Sequence, residues 1–557
     1  MGTPKSTFSI RDVSRLNSSL PNSQLVNALL SGKAWGGSVA DNRPISLSFS
    51  FPWESGPSYF FGYKDQAYSK DYEQSAPMRA AFNQAQQVAA TKALQTWSDV
   101  ANIQFFKVAD DASSAGILRF AFSSAPALDK WWGHASYPNK DWPSGGDIWV
   151  NYKHSSDVDW SIGSSNFDSL IHEIGHALGL KHPFEDDPII PTQYDSEQYT
   201  VMSYTSPKKD LWPTVTRSGS RYSVTSELIN PESPMAVDIA AIQYMFGKNT
   251  SYRLGNDTYR IDAESPFFKT IWDAGGIDTI DASTFTQPCT IDLNPGSYSS
   301  LGFRSNWFDY KDINWTNPYD DDEIYDGSDN LGIAFDCWIE NVNGGSGNDR
   351  IIGNGKNNQI SGNGGSDTID GGLGVDVLIC KGKKSEYQVI KSSTDSWRIS
   401  DQKSGRDGSD LLTQVERLQF LDIVIALDVA ETPGQAYRIY KAAFNRTPDT
   451  GGLGYWIAKM DSGMNTVDVA ARFIDSPEFR TLYGQNPSNA DFLTKVYTNV
   501  LGRTPDQGGY TWWLNELNTN ASKTKAKVLA DFSESAENQS GVASLIGNGI
   551  TFEPWVG

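Results

Sequence analysis

Three of the chain's five histidines lie within eleven residues, in the segment HEIGHALGLKH that runs from His172 to His182. Residues four apart share one face of an α-helix, so His172 and His176 can bind one metal ion as neutral imidazoles. Glu173 follows the first histidine, and its carboxylate would lie beside that ion without binding it. Such a carboxylate suits a general base, which takes a proton from a water molecule at the ion.

Gly179 predicts the end of this helix, because glycine readily adopts the left-handed conformation found at helix C-termini. The chain can then turn back and offer His182 as a third ligand. Three nitrogen ligands leave one coordination position open, which is the arrangement of catalytic zinc sites. The spacing therefore predicts one catalytic zinc ion on His172, His176 and His182. The alternative, an amphipathic helix with buried histidines, leaves the glycine and the third histidine unexplained.

The full pattern H-E-x-x-H-x-x-G-x-x-H resembles that of the metzincin metalloproteases. The segment YTVMSY then supplies Met202, twenty residues after His182, where the clan has a methionine turn beneath the metal. Tyr204 follows two residues later. In the serralysin and astacin branches, a tyrosine in this place reaches the zinc and then hydrogen-bonds the transition-state oxyanion. The resemblance implies that Tyr204 is catalytic and a possible further zinc ligand.

The composition limits the function classes. The chain has 557 residues, enough for three or four domains, and carries 67 acidic against 46 basic residues, a formal charge of −21. This balance argues against nucleic acid binding, which needs a basic surface, and fits a protein that holds many cations. Three cysteines predict no disulfide framework, although one pair could form. The sequence shows neither an apolar stretch of about 20 residues nor a signal-peptide core.

Residues 21–248 predict a mixed α/β catalytic domain. The segments PISLSFSFPW, ILRFAFS and GGDIWVNY have strand patterns, and MRAAFNQAQQVAATKALQTWSDVA and PMAVDIAAIQYMFG have helical ones. This order resembles a serralysin catalytic domain. In that family the strand matching GGDIWVN lies at the sheet edge and pairs with extended substrate. The resemblance implies substrate binding at Gly146, Ile148 and Val150, and an interior strand is the alternative.

A nine-residue repeat follows, with copies that start at Gly344, Gly353, Gly362 and Gly371. Its template, G-G-x-G-x-D-x-U-x, is that of the calcium-binding parallel β-roll. One coil takes two repeats, so Asp349 should face Asp367 and Asn358 should face Asp376, eighteen residues on. A flexible glycine linker is the alternative. The predicted calcium ligands of the roll are Gly345, Gly347, Asp349, Asn358, Gly362, Gly364, Asp367, Gly371 and Asp376. The predicted inward-facing residues are Ile351, Ile360, Ile369 and Leu378.

The segment before the repeats resembles the serralysin C-terminal module, in IWDAGGIDTIDAS and IENVNGGSGND. With capping strands after the repeats, it extends the predicted β-roll domain to residues 249–430. An acidic insertion, NPYDDDEIYDGSD, is interpreted as a solvated loop. The resemblance implies further calcium ligands at Asp273, Gly275, Gly276, Asp278 and Glu340. The loop YRLGNDT offers Arg253, Gly255 and Asp257 in a related place with different spacing.

Residues 431–557 predict helices built from two related units. RTPDTGGLGYW begins at Arg446 and RTPDQGGYTWW at Arg503. The pair resembles a small helical domain of unknown function at the ends of secreted bacterial proteins. Trp456 and Trp513 are predicted to be core residues. We expect this segment to fold separately, so that its removal would leave calcium-linked melting unchanged.

The predicted fold is multidomain: an α/β metzincin catalytic domain, an all-β parallel β-roll and an all-α C-terminal domain. The resemblance implies a secreted bacterial zinc endopeptidase that acts on polypeptides and is stabilised by several calcium ions. It also implies a zymogen with residues 1–20 as propeptide, type I secretion machinery and a proteinaceous inhibitor. A further interpretation keeps catalysis and gives the helical domain a cell-surface partner. The alternative is a non-catalytic calcium-dependent adhesion protein with a degenerate protease domain.

Overall fold

The computed structural model describes residues 8–36, 44–62, 67–313, 319–393 and 396–555. Packing divides the chain into two compact units. The first comprises residues 1–341 and 345–347, and the second comprises residues 342–344 and 348–557. The first seven residues of the predicted propeptide, and Asn317 and Pro318 of the predicted acidic loop, lie outside the described residues.

The elements are numbered along the chain. The helices of the first unit are α1 (Ser23–Leu29), α2 (Gln84–Val100), α3 (Ser165–Leu178), α4 (Ala236–Phe246) and α5 (Trp307–Tyr310). Its strands are β1 (Ile10–Asp12), β2 (Lys33–Trp35), β3 (Ile45–Ser50), β4 (Arg79–Ala81), β5 (Ile103–Lys107), β6 (Leu118–Ser123), β7 (Gly133–Ala135), β8 (Ile148–Asn151), β9 (Leu211–Ser218), β10 (Arg221–Leu228), β11 (Thr258–Arg260), β12 (Lys269–Ile271), β13 (Thr279–Asp281), β14 (Thr290–Asp292), β15 (Tyr298–Ser299) and β16 (Leu331–Ile333).

Strand β17 (Asn341–Asn343) lies at the division between the units. The strands after it are β18 (Arg350–Ile352), β19 (Gln359–Ser361), β20 (Thr368–Asp370), β21 (Val377–Ile379), β22 (Tyr387–Lys391), β23 (Ser396–Asp401), β24 (Ser409–Thr413), β25 (Arg417–Gln419), β26 (Val424–Ala426) and β27 (Ile550–Phe552). The helices of the second unit are α6 (Thr432–Phe444), α7 (Thr450–Asp461), α8 (Thr466–Ile474), α9 (Pro477–Tyr483), α10 (Asn489–Leu501), α11 (Gln507–Thr519), α12 (Lys525–Ser533) and α13 (Ala536–Ile546).

The sheet that contains β8 has the strand order β5-β3-β6-β8-β7, and β4 pairs with β6. Strand β8 pairs in parallel with β6 on one side and antiparallel with β7 on the other. The predicted edge position of β8 is therefore wrong. All four residues of β8 are buried, as expected of a strand inside a sheet. The edge strand is β7, whose three residues Gly-His-Ala carry no alternating pattern that the sequence could reveal.

Helix α2 lies against α3 and supports it. Its Trp97 is fully buried, and the indole Nε1 donates to the carbonyl of Ile171 on α3 at 3.3 Å. The predicted helix begins at Met78, whereas α2 begins at Gln84. The reason is Asn83, which forms a capping box with Gln86 and leaves residues 79–81 free to form β4.

The N-terminal segment packs on the residues that follow α3 and on α4. Strands β1 and β2 pair antiparallel. The backbone N–H of Lys181 donates to the carbonyl of Leu29 at 2.7 Å, and the hydroxyl of Tyr244 donates to the carbonyl of Ser14 at 2.8 Å. The described part of the predicted propeptide, residues 8–20, is therefore part of this packed segment. Its removal as a propeptide stays a prediction.

The repeats form parallel coils of eighteen residues, as predicted. Arg350 of β18 lies opposite Thr368 of β20, and Gln359 of β19 lies opposite Val377 of β21. Within the second unit the strand orders are β17-β19-β21-β25-β26-β27 and β18-β20-β24-β23-β22. The eighth positions of the repeats are buried, which confirms the predicted interior residues Ile351, Ile360, Ile369 and Leu378.

The two helical units repeat the same local contacts. Asp449 accepts a hydrogen bond from the N–H of Gly452 at 2.7 Å and caps α7, and Asp506 caps α11 in the same way. The paired arginines also match: Arg446 binds Glu478 and Arg503 binds Glu537. Trp456 and Trp513 pack against the apolar core of the helices, which confirms the predicted role of both residues.

The chain returns from the helices to the strands at its end. Strand β27 pairs antiparallel with β26, with Val424 opposite Phe552. Val424 and Ala426 belong to the same apolar core as the helices. The boundary predicted at residue 430 therefore does not separate the packing of the helices from that of the strands. The boundary predicted at residue 248 remains a prediction.

This pairing changes what we expect of a truncated chain. Residues 1–431 lack β27 and the helical core, so the edge of β26 and its buried side chains become exposed. Each large apolar side chain contributes about 1.5–3 kcal/mol when buried. Calcium-linked melting of residues 1–431, followed by circular dichroism, should occur at least about 10 °C below that of the full chain.

A second truncation, after residue 546, removes β27 and keeps every helix. It should melt between the full chain and residues 1–431. Equal melting of residues 1–431 and the full chain would show that the helices fold separately after all.

Candidate active site

Helix α3 carries the first two histidines and ends where predicted. The side chain of Ser164 caps its N-terminus by accepting from Phe167 N–H. Gly179 ends it with a φ of 115°, and its N–H donates to the carbonyls of Gly175 at 3.1 Å and His176 at 2.9 Å. A Cβ atom on residue 179 would collide with the carbonyl of Lys33. Glycine is thus required both for the turn and for the close approach of β2.

The turn at Gly179 brings His182 to the other two histidines. Its Nε2 atom lies 3.0 Å from Nε2 of His176 and 3.3 Å from Nε2 of His172. The ligand atoms of the three side chains all lie within 4.8 Å of one another. The structure therefore brings together the three predicted zinc ligands.

Each imidazole is oriented by an acceptor on its other nitrogen. Because Nδ1 lies against an oxygen in all three rings, Nδ1 carries the proton and the Nε2 lone pair points to the common centre. The three acceptors are the carbonyl of Val201 at 2.6 Å from His172, the carbonyl of Leu180 at 2.8 Å from His176 and the carboxylate of Glu185 at 2.8 Å from His182.

This donor set fits a zinc ion. Burial lowers the pKa of His172 to about 4, and it lowers the pKa of His176 well below its ordinary value. Both rings are thus neutral ligands at pH 7. Nitrogens about 2.0–2.1 Å from one tetrahedral centre lie about 3.4 Å apart, close to the observed separations. Three lone pairs that face one another without a proton need a cation between them.

Glu173 lies beside this centre with an unused oxygen. The residue is 6% exposed, and its Oε2 atom is buried without a hydrogen-bond partner in the described part of the chain. Burial raises the pKa of Glu173 to about 8, partly offset by His134 and the backbone of Ala135. A buried carboxylate with a raised pKa and a free oxygen suits a general base. Its assignment as the base stays a prediction.

Met202 lies beneath α3, the helix that carries His172 and His176, as predicted. It is fully buried, and a Cβ atom on Gly175 would lie 2.5 Å from its Sδ atom. The turn around Met202 is held by Asp238 of α4, whose carboxylate accepts from Val201 N–H at 2.8 Å and from the hydroxyl of Thr200 at 2.6 Å. Gly175 and Asp238 were missed by sequence reasoning, because neither position is distinguished by the zinc-binding pattern.

Tyr204 lies over the histidines at the surface of the site. Its ring centroid is 4.5 Å from that of His182 and 5.6 Å from that of His172, and the residue is 51% exposed. Burial of the ring raises the pKa of Tyr204 to about 12, so its hydroxyl keeps its proton at pH 7. The structure thus places a hydrogen-bond donor next to the metal ligands.

The predicted substrate residues do not lie on a free edge. Ile148 and Val150 are buried in β8, between β6 and β7. Gly146 has a φ of 83°, and a Cβ atom there would lie 2.9 Å from both Trp35 and the carbonyl of Ile117. The three residues position the sheet beneath the site, and pairing with a substrate backbone cannot occur at them.

The free edge belongs to β7. Trp132 and Ser136, on either side of it, hydrogen-bond to the strand of β8 through Asn151 and Asp147. Because the bonding direction alternates along a strand, Gly133 and Ala135 direct their N–H and C=O groups away from β8. Glu173 is next to this edge, since its Oε1 lies 3.6 Å from the position of a Cβ atom on Gly133.

The predicted lead-in calcium residues form one cluster. Carboxylate oxygens of Asp257, Asp273 and Asp278 lie within 4.8 Å of one another. Asp278 Oδ1 accepts from Asp257 N–H at 2.7 Å, while its Oδ2 is buried and has no partner among the described residues. Burial raises the pKa of Asp278 to about 6. Carboxylate oxygens of this kind suit a calcium ion.

The remaining lead-in residues lie around this cluster. Gly275 N–H donates to Asp273 at 2.8 Å, and Glu340 accepts from Asp278 N–H at 2.9 Å. A Cβ atom on Gly276 would collide with the carbonyl of Gly255, so the two loops touch. Arg253 lies 3.5 Å from Asp257 through its guanidinium, and a cation would have to be bound by its backbone. The loop YRLGNDT is therefore adjacent to the other lead-in residues.

The carboxylates of the roll are arranged along two edges. Asp349 N–H donates to Asp367 Oδ1 at 2.8 Å, and Asn358 N–H donates to Asp376 Oδ1 at 2.7 Å. In both aspartates the second oxygen, Oδ2, is buried and lacks a partner in the described chain. Burial raises the pKa of Asp367 to about 8 and that of Asp376 to about 7. These buried carboxylate oxygens, like that of Asp278, suit a calcium ion as ligands.

The glycines allow these carboxylates to approach the backbone. A Cβ atom on Gly362 would collide with Asp367, and one on Gly371 would lie 2.7 Å from Asp376 Oδ2. Gly364 lies in the bend before β20. In the first unit, Cβ atoms on Gly345 and Gly347 would lie 2.5 Å from Phe285 and 2.7 Å from Gln287. Calcium binding by these residues stays a prediction.

Two acidic residues continue these two rows of carboxylates and were not predicted from the sequence. Asp410 accepts from Asp367 N–H at 3.0 Å, and Glu416 accepts from Asp376 N–H at 2.8 Å. They follow their partners by 43 and 40 residues, whereas the repeat predicts eighteen. The signal for them is their place in the segment that caps the roll, where Asp410 lies on β24 and Glu416 directly precedes β25.

Comparisons with known proteins support the order of these segments. The family model described as Matrixin matches residues 67–210, and that described as Peptidase M10 serralysin C terminal matches residues 241–308. The RTX calcium-binding nonapeptide repeat matches residues 343–378, and a domain of unknown function, DUF4214, matches residues 470–542.

Similar curated proteins include a serralysin of Proteus mirabilis, 31% identical over 58% of this chain and 62% of its own length. Another is metalloprotease AprA of Pseudomonas entomophila, 32% identical over 59% of this chain and 63% of its own length. A serralysin of Photorhabdus luminescens is 33% identical over 49% of this chain and 54% of its own length. The resemblance to the serralysins is confirmed. The chain spans 54–63% of the length of these relatives.

The unpaired carboxylates of the roll lead to a prediction about calcium. Asp367→Asn and Asp376→Asn each remove one anionic ligand and keep the side-chain size. Each should raise the free calcium concentration at half-folding by about tenfold or more, which corresponds to about 1.4 kcal/mol. The measurement is circular dichroism of the full chain against buffered calcium.

The matched control is Asp475→Asn, which removes an exposed carboxylate among the helices of the same unit. It should leave the calcium midpoint unchanged. Equal midpoints for all three variants would remove Asp367 and Asp376 from the calcium sites.

Proposed function

We propose that the chain is a secreted, calcium-stabilised zinc endopeptidase that hydrolyses peptide bonds of extracellular proteins. The observation that carries the proposal is the convergence of three Nε2 lone pairs beside the carboxylate of Glu173, whose Oε2 atom has no partner among the described residues. The similarity to the serralysins and to metalloprotease AprA supports it. The free edge of β7 supports it as well, because it offers an extended peptide a place next to this centre.

His172, His176 and His182 would hold the zinc ion. When bound there, the ion acidifies water and polarises a carbonyl group. Glu173 takes the proton of the attacking water and gives it to the leaving amine, for which its buried carboxylate is placed beside the centre. The hydroxyl of Tyr204 donates a hydrogen bond to the oxyanion that forms from the scissile carbonyl.

The substrate backbone would pair with β7. Gly133 and Ala135 direct their hydrogen-bonding groups to the open side of this strand, so an extended peptide can add to the sheet there. This position holds the peptide next to Glu173. We therefore assign the binding of the substrate backbone to β7 and not to β8.

Calcium and export are part of the same proposal. Acidic repeats repel one another where calcium is scarce, and millimolar calcium outside the cell would drive the roll to fold, because binding to the native state alone stabilises it. Type I secretion machinery suits a chain that folds after export. A proteinaceous inhibitor and a cell-surface partner for the helical segment are further proposals. In the part of the chain that the structure describes, no helix is long and apolar enough to cross a membrane.

The first test concerns the base. Glu173→Ala should retain about one zinc ion per chain and lower casein hydrolysis by roughly 100- to 10,000-fold, the contribution of general acid–base catalysis. Metal analysis and a hydrolysis assay on the same protein measure both. Loss of zinc together with activity would make Glu173 a ligand. Equal hydrolysis of casein by the native chain with and without a zinc chelator would contradict the proposed function.

The second test concerns the oxyanion donor. Tyr204→Phe removes one hydroxyl from the surface of the site and keeps the ring that packs on His182. Its kcat should fall by roughly 10- to 1,000-fold with zinc content unchanged. Tyr72→Phe is the matched control, since Tyr72 is exposed and outside the site. Full activity of Tyr204→Phe would exclude Tyr204 from the mechanism.

A further inference from the structure

A cavity of about 410 Å³ opens beside the candidate active site. Gly133 of β7 and Glu173 line one part of it, and Trp131 and Tyr204 line another. The last two side chains are about half exposed and their rings stack with centroids 5.9 Å apart, so they form the mouth. The cavity thus connects the open surface with the carboxylate of the proposed base.

Two further carboxylates line this cavity and have no role in the proposed mechanism. They belong to Asp168, one turn before His172 on α3, and to Glu197. The Oδ1 atom of Asp168 is shielded from solvent and has no hydrogen-bond partner among the described residues. The two residues are therefore more than an exposed acidic patch, because one of them contributes a buried oxygen that has no partner in the described chain.

The charges around both carboxylates are acidic. Burial raises the pKa of Asp168 well above its ordinary range, and the nearby charges of Glu197 and Asp238 raise it further. Burial raises the pKa of Glu197 to about 7, with a further contribution from Asp210. Two carboxylates in this surrounding are unfavourable as anions unless a cation joins them.

A substrate side chain can reach this cavity. Side chains alternate between the two faces of an extended peptide, and a peptide paired with β7 passes Gly133 and Glu173, which both line the cavity. Gly133 has no side chain to occupy the space. A residue next to the bond attacked near Glu173 would therefore place its side chain inside.

We propose that this cavity selects a lysine or arginine side chain at one of the two residues that flank the scissile bond. The cationic group reaches Asp168 and Glu197 and forms charge-assisted hydrogen bonds with them. The rings of Trp131 and Tyr204 at the mouth attract the same charge through their faces. This inference rests on the proposed peptidase function and adds a class of cleavage site to it.

The test compares three otherwise identical peptides with the native chain in saturating calcium. They carry lysine, norleucine or glutamate at one position, and mass spectrometry of the products locates the cleaved bond. The lysine peptide should have a kcat/KM at least about tenfold above that of the norleucine peptide, which has the same length without the charge. The glutamate peptide should be the poorest substrate.

Two isosteric variants test whether Asp168 and Glu197 cause the preference for lysine. Asp168→Asn and Glu197→Gln should each lower the ratio of kcat/KM between the lysine and norleucine peptides by at least threefold. Glu227→Gln is the matched control, because it removes one exposed carboxylate from the same unit and should leave the ratio unchanged. Binding of the lysine and norleucine peptides to Glu173→Ala protein gives a second readout, in which lysine should bind more tightly. This readout also serves if an Asp168 variant fails to fold.

The outcomes separate this inference from the proposed function. Cleavage of all three peptides at equal rates would overturn the charge preference and leave the peptidase intact. A preference for glutamate would do the same, since it would indicate that a divalent cation occupies the carboxylates. A lysine preference that persists in both variants would show that Asp168 and Glu197 do not cause it. Failure to cleave any peptide would overturn the proposed function and this inference together.

Discussion

Three imidazole lone pairs that face one another across 3.0–3.3 Å form an arrangement that only a cation makes favourable. The fold around α3 is organised to impose it. The carbonyl of Val201 orients His172, and the carbonyl of Leu180 orients His176. Both carbonyls are themselves fixed, one by the turn that Asp238 holds and the other by the turn at Gly179. The orientation of the histidines thus depends on the segments that follow the helix.

The same constraint recurs with oxygen in place of nitrogen. Asp278, Asp367 and Asp376 each have one buried oxygen that no donor reaches in the described chain. Oxygen ligands suit calcium and imidazole nitrogens suit zinc, so the two donor sets separate the two metals by chemistry. In the roll, the coils place Asp410 beside Asp367 and Glu416 beside Asp376, and the repulsion within each pair opposes folding when no cation is bound. With calcium bound at these carboxylates, as we predict, stability and metal binding are one equilibrium in the roll.

The sequence predicts what short, regular spacing determines. The histidine pattern locates α3, its end at Gly179 and the return of His182, and the nine-residue period locates the coils of the roll. The sequence does not predict pairing between segments that lie far apart along the chain. Strand β7 has three residues without a pattern, so β8 was mistaken for the edge. Strand β27 joins β26 from more than a hundred residues away, and Asp410 joins Asp367 at a spacing outside the repeat.

The net charge of −21 does not by itself explain a preference for cationic residues beside the scissile bond. The reason is screening, since exposed charges act over only about 8–10 Å at physiological salt. The overall charge would raise the encounter rate of any basic protein, wherever its lysines lie along the chain. It cannot distinguish the residue beside the scissile bond from one several positions away. That distinction requires a short-range contact shielded from salt, which Asp168 and Glu197 provide in the cavity beside Glu173.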